Sequence, residues 1–219
     1  MTNAPETSPP AIAGRLFIAR HGETVFNAAA RLQGENLHTP LTRAGFAQAD
    51  GMGAALREVL GAKPSITLWA SETGRALQTL AVIAEHLELD WHQARRDTRL
   101  AEIGMGSWGG RYYADVTKEY GPIVDMQTRL LTPAPDGEHY TAIAERVSEW
   151  AAEHGGEPGD KLVIMHGISS RVLRGVLLGV ETDPVYGAPI APGLPQGSVT
   201  CIENGEEHVV VTGTGGERA

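Results

Sequence analysis

The stretch Leu16-Phe17-Ile18-Ala19-Arg20-His21-Gly22-Glu23-Thr24 joins a short apolar run to an arginine and a histidine. Four consecutive apolar residues predict a buried strand. A cation beside an imidazole at a strand end suits a site that holds a phosphoryl group while a ring nitrogen attacks it. The chain repeats this pattern where the apolar run 162–165 leads into His166 and Gly167. Two strands that each deliver a histidine and a glycine predict one site assembled from distant segments.

Composition excludes several classes of function. The chain has 219 residues and a formal net charge of -9, which argues against a nucleic-acid partner because such binding needs clustered Lys and Arg. No run approaches the ~18 apolar residues of a membrane span, and the N-terminus has no signal-peptide pattern, so we expect a cytoplasmic protein without a membrane partner. The single cysteine, Cys201, excludes an internal disulfide and a thiolate metal cluster.

Strand-like and helix-like segments alternate, which predicts an α/β sheet with helices on both faces. Thr42 and Ser71 are placed to cap the helices that follow them, and Asn204-Gly205 predicts a hairpin. We expect residues 104–135, with their weak periodicity, to form an excursion that covers a pocket. The predicted strands are 16–19, 66–70, 161–165, 199–203 and 208–212, and the predicted helices are 42–60, 72–87, 140–154 and 169–178.

Neither an internal repeat nor a long linker divides the chain. We therefore expect one domain over residues 14–212, between a flexible N-terminal tail, 1–13, and a flexible C-terminal tail, 213–219. An exposed strand edge near residues 199–203 would permit a homodimer.

Four residues near strand ends fit phosphoryl transfer. His21 is the candidate nucleophile, and the neighbouring charge of Arg20 favours its neutral form. Arg20 and Arg75 each offer a planar guanidinium to phosphate oxygens. We expect His166 to donate a hydrogen bond to the phosphoryl oxygens as they gain charge.

A leaving alkoxide needs a proton, and a carboxylic acid among apolar neighbours can supply it. Glu102, between apolar residues, is the candidate acid, Asp97 is its local rival, and spacing alone does not decide between them. The other six histidines lack ligand-like spacing, although we expect His38 and His139 to approach the pocket. No segment matches a Walker A loop, a dinucleotide fingerprint or a zinc-protease motif, so we expect neither metal nor cofactor.

Four blocks follow one another along the chain: Arg20-His21-Gly22-Glu23-Thr24 with Asn27, Gln33-Gly34 with Pro40-Leu41-Thr42, residues 71–79, and His166-Gly167. Together they resemble the histidine phosphatase superfamily, the phosphoglycerate-mutase-like proteins, over residues 15–203. The resemblance implies a three-layer α/β/α sandwich with a mostly parallel central sheet. It also implies that His21 becomes phosphohistidine and that Glu102, not Asp97, is the proton donor. The remaining site residues that it implies are Arg20, Arg75 and His166 in the phosphate pocket, and Asn27, Gln33 and Gly167 as substrate-binding residues.

The chain departs from the family pattern where the substrate would be selected. His38 stands at a common Asp position, Gly109 replaces the Glu of a Trp-Glu-Gly segment, and residues 136–139 (Asp-Gly-Glu-His) replace Gly-Gly-Glu-Ser. These departures leave the substrate and the roles of His38, Glu138 and His139 open.

Three functions fit the resemblance. The mutase branch typically carries Glu-Arg-x-Tyr-Gly and an Arg-Arg pair leading into a Pro-rich loop. Here residues 102–106 read Glu-Ile-Gly-Met-Gly, and no Arg-Arg pair leads into the loop Pro133-Ala134-Pro135. A non-catalytic phosphoryl-binding module would usually have lost a core residue, and none is lost here. We therefore predict a metal-independent phosphomonoesterase for a small phosphorylated metabolite, with a cofactor-dependent phosphoglycerate mutase and the binding module as alternatives.

Overall fold

In the computed structural model, which describes residues 9–216, six strands form one sheet. They are Leu16–Arg20 (β1), Ile66–Ala70 (β2), Arg95–Arg96 (β3), Asp160–Met165 (β4), Val199–Glu203 (β5) and Glu206–Val211 (β6). Their order is β3-β2-β4-β1-β5-β6. The strands β1 to β4 are parallel, and β5 pairs antiparallel with both β1 and β6. The predicted, mostly parallel sheet is confirmed.

Helices cover both faces of this sheet. They are Val25–Ala28 (α1), Arg43–Leu60 (α2), Gly74–Leu87 (α3), Tyr113–Tyr120 (α4), Tyr140–His154 (α5) and Gly167–Leu177 (α6). Side chains of a strand alternate between the faces, so Leu16 and Ile18 pack with α5 and α6, whereas Phe17 and Ala19 pack with α2 and α3. The predicted three-layer α/β/α architecture is confirmed.

Helices α3 and α6 begin at other residues than predicted, in each case because of a hydrogen bond between residues far apart in sequence. The hydroxyl of Ser71 does not cap α3, which begins at Gly74, because it is hydrogen-bonded to His166. Helix α6 begins at Gly167, two residues earlier than predicted. Its first N–H groups are satisfied by Glu102, a carboxylate 66 residues away in sequence. Helix α2, in contrast, begins as predicted, with Thr42 accepting a hydrogen bond from the Gly45 N–H.

The sheet edge near residues 199–203 is formed by the neighbouring strand of the same hairpin, not by residues 199–203 themselves. Strand β5 lies between β1 and β6, and β6 forms that edge of the sheet. Positive φ angles at Asn204 and Gly205 make a two-residue turn, so pairing resumes at once between Glu203 and Glu206. The last strand therefore begins two residues before its predicted start at position 208.

Both predicted tails extend beyond the described residues, since 1–8 and 217–219 lie outside them. The described parts make contacts: the Ala13 N–H donates to Gly155 O, and the Gly213 N–H donates to Ser198 Oγ. The domain bounds 14–212 stay a prediction. Within residues 9–216, no helix is both long and apolar enough to cross a membrane.

Candidate active site

His21 and His166 meet at the carboxyl edge of the parallel strands. β1 and β4 are neighbours in register, and the His21 N–H donates to Met165 O. Both histidines are buried, and their ring centroids lie 5.2 Å apart with 62° between the ring planes. The structure thus brings together the two histidines that the sequence places 145 positions apart.

A main-chain contact fixes the tautomer of His21. Its Nδ1 lies 2.7 Å from the carbonyl oxygen of Gly22, which can only accept a hydrogen bond, so Nδ1 carries the proton. The lone pair is then on Nε2. Burial lowers the pKa of His21 well below its usual value, and the charges of Arg75 and Arg20 act in the same direction. His21 is therefore neutral near pH 7, with an unprotonated Nε2.

His166 is held by side chains on both ring nitrogens. The guanidinium of Arg75 donates from Nε to Nδ1 at 3.2 Å, so Nδ1 is the acceptor. Nε2 then carries the proton and donates to Ser71 Oγ at 2.6 Å. Burial, then the charge of Arg75, lowers the pKa of His166 well below its usual value. Direct donation from His166 to a phosphoryl group would require the ring to leave one of these partners, so that role stays a prediction.

Arg75 is fully buried and connects His166 to the loop 34–39. Burial lowers its pKa to about 10, against the opposing effect of the Glu102 and Glu35 carboxylates, so it remains a cation near pH 7. Four of the five N–H groups of a guanidinium are engaged here. The acceptors are His166 Nδ1, Asn36 O, Thr39 Oγ1 and Gly34 O.

Glu102 lies against the amino end of α6, only 3% exposed. Its Oε1 accepts hydrogen bonds from the N–H groups of Ile103 and Ser169, and its Oε2 accepts one from Ile168. A helix amino end favours an anion. Oε1 thus receives two of these donors and Oε2 one.

Asp97, the rival acid, is committed elsewhere. Burial acts to raise its pKa, but hydrogen bonds from the side chain and N–H of Arg99 outweigh that effect and lower it. Its carboxylate contacts Arg99 through both oxygens. A carboxyl group with a lowered pKa and an arginine partner is a poor proton donor near pH 7, and the assignment of Glu102 as the acid stays a prediction.

The remaining predicted residues border this centre. Asn27 and Gln33 belong to one network around Thr24, with the amide of Gln33 donating to Asn27 Oδ1 at 3.3 Å. Arg20 is 5% exposed, and its Nη1 donates to Leu194 O. Gly167 is the first residue of α6. These placements are compatible with substrate binding, which stays a prediction for each residue.

Sequence reasoning placed Ser71 at the same sheet edge as the histidines, directly after a strand, but assigned its hydroxyl to a helix cap. It did not single out Thr79, which accepts a hydrogen bond from the Gly22 N–H. It left the role of Glu138 open and did not single out Arg146, which forms an ion pair with Glu138 beside Glu102.

The side chains of His38 and His139 are exposed to solvent. Their approach to the pocket stays a prediction. Among residues 9–216, no cluster of three or more His, Cys, Asp or Glu side chains could hold a metal ion.

The chain is similar to known proteins over most of its length. The family model of the histidine phosphatase superfamily (branch 1) matches residues 16–215. A glucosyl-3-phosphoglycerate phosphatase of Mycobacterium tuberculosis is 34% identical over 200 residues, which cover 86% of this chain and 84% of that protein. A "Probable phosphoglycerate mutase GpmB" of Citrobacter koseri is 30% identical over 176 residues, covering 76% of this chain and 75% of that protein.

Solved structures share the architecture. A mycobacterial glucosyl-3-phosphoglycerate phosphatase in complex with VO3 superimposes with a TM-score of 0.71 and 26% identity, covering 93% of this chain and 100% of that chain. The alpha-ribazole phosphatase from Shigella flexneri, at 23% identity, shares the fold with a TM-score of 0.69 over 91% of this chain and 96% of that chain. The match to the family model begins with the first strand and extends past the last, so it includes both histidines, Arg75 and Glu102. The chain therefore belongs to the histidine phosphatase superfamily (branch 1).

Proposed function

We propose that this protein is a phosphomonoesterase that forms phosphohistidine at His21. The observation that carries the proposal is the state of the His21 ring. Gly22 O holds the proton on Nδ1, and burial keeps the imidazole neutral, which leaves Nε2 as an in-line nucleophile. When Nε2 bonds to phosphorus, the ring becomes positive, and the contact from Nδ1–H to Gly22 O strengthens.

In the first step, the His21 Nε2 lone pair forms the bond to phosphorus while the bond to the leaving oxygen breaks. That oxygen takes a proton from Glu102 Oε2. Two observations support a common site for Glu102 and His21: Glu102 accepts hydrogen bonds from the Ile168 and Ser169 N–H groups, and His166, at the start of the same helix, packs against His21.

In the second step, water attacks the phosphohistidine. Glu102, now a carboxylate, accepts a proton from that water, the P–N bond breaks, and the electron pair returns to His21 Nε2. Inorganic phosphate leaves, and His21 and the protonated Glu102 are restored.

Positive charge at the site stabilises the transferring group. Arg20 and Arg75 are both buried cations near His21, and a dianionic phosphoryl group is most strongly stabilised by charges shielded from water. We propose that Arg20, together with Gly167 at the amino end of α6, contacts the phosphoryl oxygens. Asn27 and Gln33 would border the substrate.

The substrate that we propose is a small phosphorylated metabolite. The similarity to a glucosyl-3-phosphoglycerate phosphatase, at 34% identity, supports this class. A phosphoglycerate mutase remains a second candidate because a relative at 30% identity carries that name. The non-catalytic module is less well supported, since both histidines and Glu102 are present. The cytoplasmic location and the homodimer stay predictions.

The test is release of inorganic phosphate from a panel of phosphomonoesters, with and without chelator, beside a phosphoglycerate isomerisation assay. We expect phosphate release that persists in chelator, and the rank order of substrates would define the metabolite. Isomerisation with little phosphate release would move the protein to the mutase function. Neither activity from folded protein would leave the binding module as the best explanation.

A further inference from the structure

An ion pair between Glu138 and Arg146 lies beside the segment that carries Glu102. Glu138 precedes helix α5, and Arg146 lies inside that helix. The guanidinium donates from Nε to Glu138 Oε1 at 2.7 Å and from Nη2 to Oε2 at 3.0 Å. The side chain of Arg146 is only 17% exposed and that of Glu138 only 20%. A contact through two hydrogen bonds fixes the direction of the carboxylate as well as its distance.

The pair holds the main chain on both sides of Glu102. Arg146 also donates to Arg99 O, three residues before Glu102, and to Glu102 O itself at 3.5 Å. Glu138 Oε2 accepts a hydrogen bond from the Gly104 N–H, two residues after Glu102, at 3.1 Å. Three main-chain groups spanning residues 99–104 are therefore anchored to one helix through one ion pair.

This anchoring matters because the segment has little regular structure of its own. After a short turn at Thr98–Leu100, residues 101–105 belong to no helix or strand. The Glu102 side chain must nevertheless hold Oε2 close to a leaving oxygen, and misplacement of an acid by about 1 Å is enough to slow a reaction strongly. Helix α5 packs against α6 in the same core, so it provides a rigid reference.

We propose that Glu138 and Arg146 are positioning residues, which set where Glu102 Oε2 lies and thereby its proton transfer to the leaving group. The inference rests on the proposed function, in which Glu102 is the acid. Neither residue need touch the substrate. If the proposal holds, loss of the ion pair lowers kcat/KM most for the substrates whose leaving group most needs a proton.

The test compares two substrates by kcat/KM, which reports the step in which the leaving group departs. One is p-nitrophenyl phosphate, whose phenolate needs little protonation, and the other is an alkyl phosphate. We expect Glu138→Gln and Arg146→Lys each to lower kcat/KM for the alkyl phosphate about tenfold and for p-nitrophenyl phosphate less than about twofold. Arg146→Lys keeps the positive charge but cannot make both hydrogen bonds to Glu138, so it separates the effect of the two-point contact from that of the charge.

The matched control is Asp160→Asn in the ion pair with Arg15, where the guanidinium donates from Nε and Nη2. That pair lies at the opposite end of β1 and β4, and we expect both kcat/KM values to change equally and by less than about twofold. Thermal unfolding of each variant establishes that it is folded. Should Glu138→Gln not fold, the substrate ratio of Arg146→Lys decides.

Equal losses on both substrates, or no loss, in folded Glu138→Gln and Arg146→Lys would overturn the inference. In that case wild-type turnover and its dependence on His21 would be intact, so the proposed function would stand. Wild-type protein that hydrolyses neither substrate would instead refute the proposed function, and the inference with it.

Discussion

The two strand-end histidines share a sequence pattern and differ in how they are held. The first corner, Arg20-His21-Gly22, follows β1, and its ring is fixed by the carbonyl of the very next residue. The second corner, His166-Gly167, follows β4, and its ring is fixed by Ser71 and Arg75, which lie 95 and 91 residues away. The first ring offers Nε2, which has no hydrogen-bond partner in the described chain, whereas the second has both nitrogens engaged.

This difference suggests a division of roles between the corners. A nucleophile needs an accessible lone pair and a fixed tautomer, and the first corner supplies both from local main chain. The second corner organises the surroundings: its ring packs against His21, and the helix that it begins holds Glu102. Substitutions in the two corners should therefore have effects of different size and kind.

The largest expected effect is that of His21→Ala. If His21 is the nucleophile, its removal should lower phosphate release at least about a thousandfold, because the covalent intermediate can then no longer form at its ring. Incubation with a labelled phosphomonoester, followed by detection of labelled protein, checks the intermediate directly. The exposed His208 on β6 offers a control, since His208→Ala should retain full activity. Substantial turnover by purified His21→Ala would end the proposal.

The second largest effect is expected for Glu102→Gln, which tests the proposed acid held at the amino end of α6. The amide cannot supply the proton, so kcat/KM for an alkyl phosphate should fall about a hundredfold. For p-nitrophenyl phosphate the fall should be much smaller, because its phenolate leaves without protonation. Equal losses on the two substrates would remove Glu102 from the acid role.

A smaller effect is expected for Ser71→Ala, which releases His166 Nε2 from its partner. If the second corner acts by holding its ring in place, activity should fall about tenfold. If instead His166 must turn to the phosphoryl group, the loss of Ser71 should leave activity unchanged or raise it. Steady-state kinetics on p-nitrophenyl phosphate distinguish the two outcomes.

Thr42→Ala is the matched control for Ser71→Ala, because Thr42 is the residue that does cap its helix. Loss of the cap should lower the free energy of unfolding by about 1 kcal/mol. Its kcat/KM should stay within about twofold of wild type. A large loss of activity in Thr42→Ala would mean that Ser71→Ala cannot be interpreted through His166 alone.

The same two residues show which features the sequence could predict. Thr42 was assigned correctly because a cap acts on an N–H only three residues away, a distance that the pattern of the chain describes. Strand ends and the meeting of the two corners follow equally from local apolar runs and from the rule for parallel sheets. Ser71 was assigned wrongly because its partner, His166, approaches only when β2 and β4 pair.

The supports of Glu102 were beyond sequence reasoning for a related reason. The prediction identified the residue itself through its resemblance to a family motif. Its three N–H donors and the Glu138–Arg146 pair depend on how α5 and α6 pack over an irregular segment. An acidic and a basic residue eight positions apart give no sequence signal that separates such a pair from ordinary surface charge.

The smallest expected effect is on stability, and it tests the neutral state of the first corner. Burial lowers the pKa of His21 in the folded protein, whereas an unfolded histidine titrates near about 6.5. Between the folded and the unfolded pKa of His21, the unfolded state binds more protons than the folded state. The stability contributed by neutral His21 is therefore present at higher pH and is lost as the pH falls below about 6.5. Wild type should therefore lose stability between about pH 7 and about pH 5.5.

His21→Gln removes this contribution, so its free energy of unfolding should decline by about 1 kcal/mol less than that of wild type over the same interval. Urea unfolding at the two pH values measures both declines, and His208→Gln, at an exposed position, should decline as wild type does. Equal declines for His21→Gln and wild type would mean that the folded protein binds the proton as readily as the unfolded chain. His21 would then be charged in mild acid, and its Nε2 could not act as the nucleophile under those conditions.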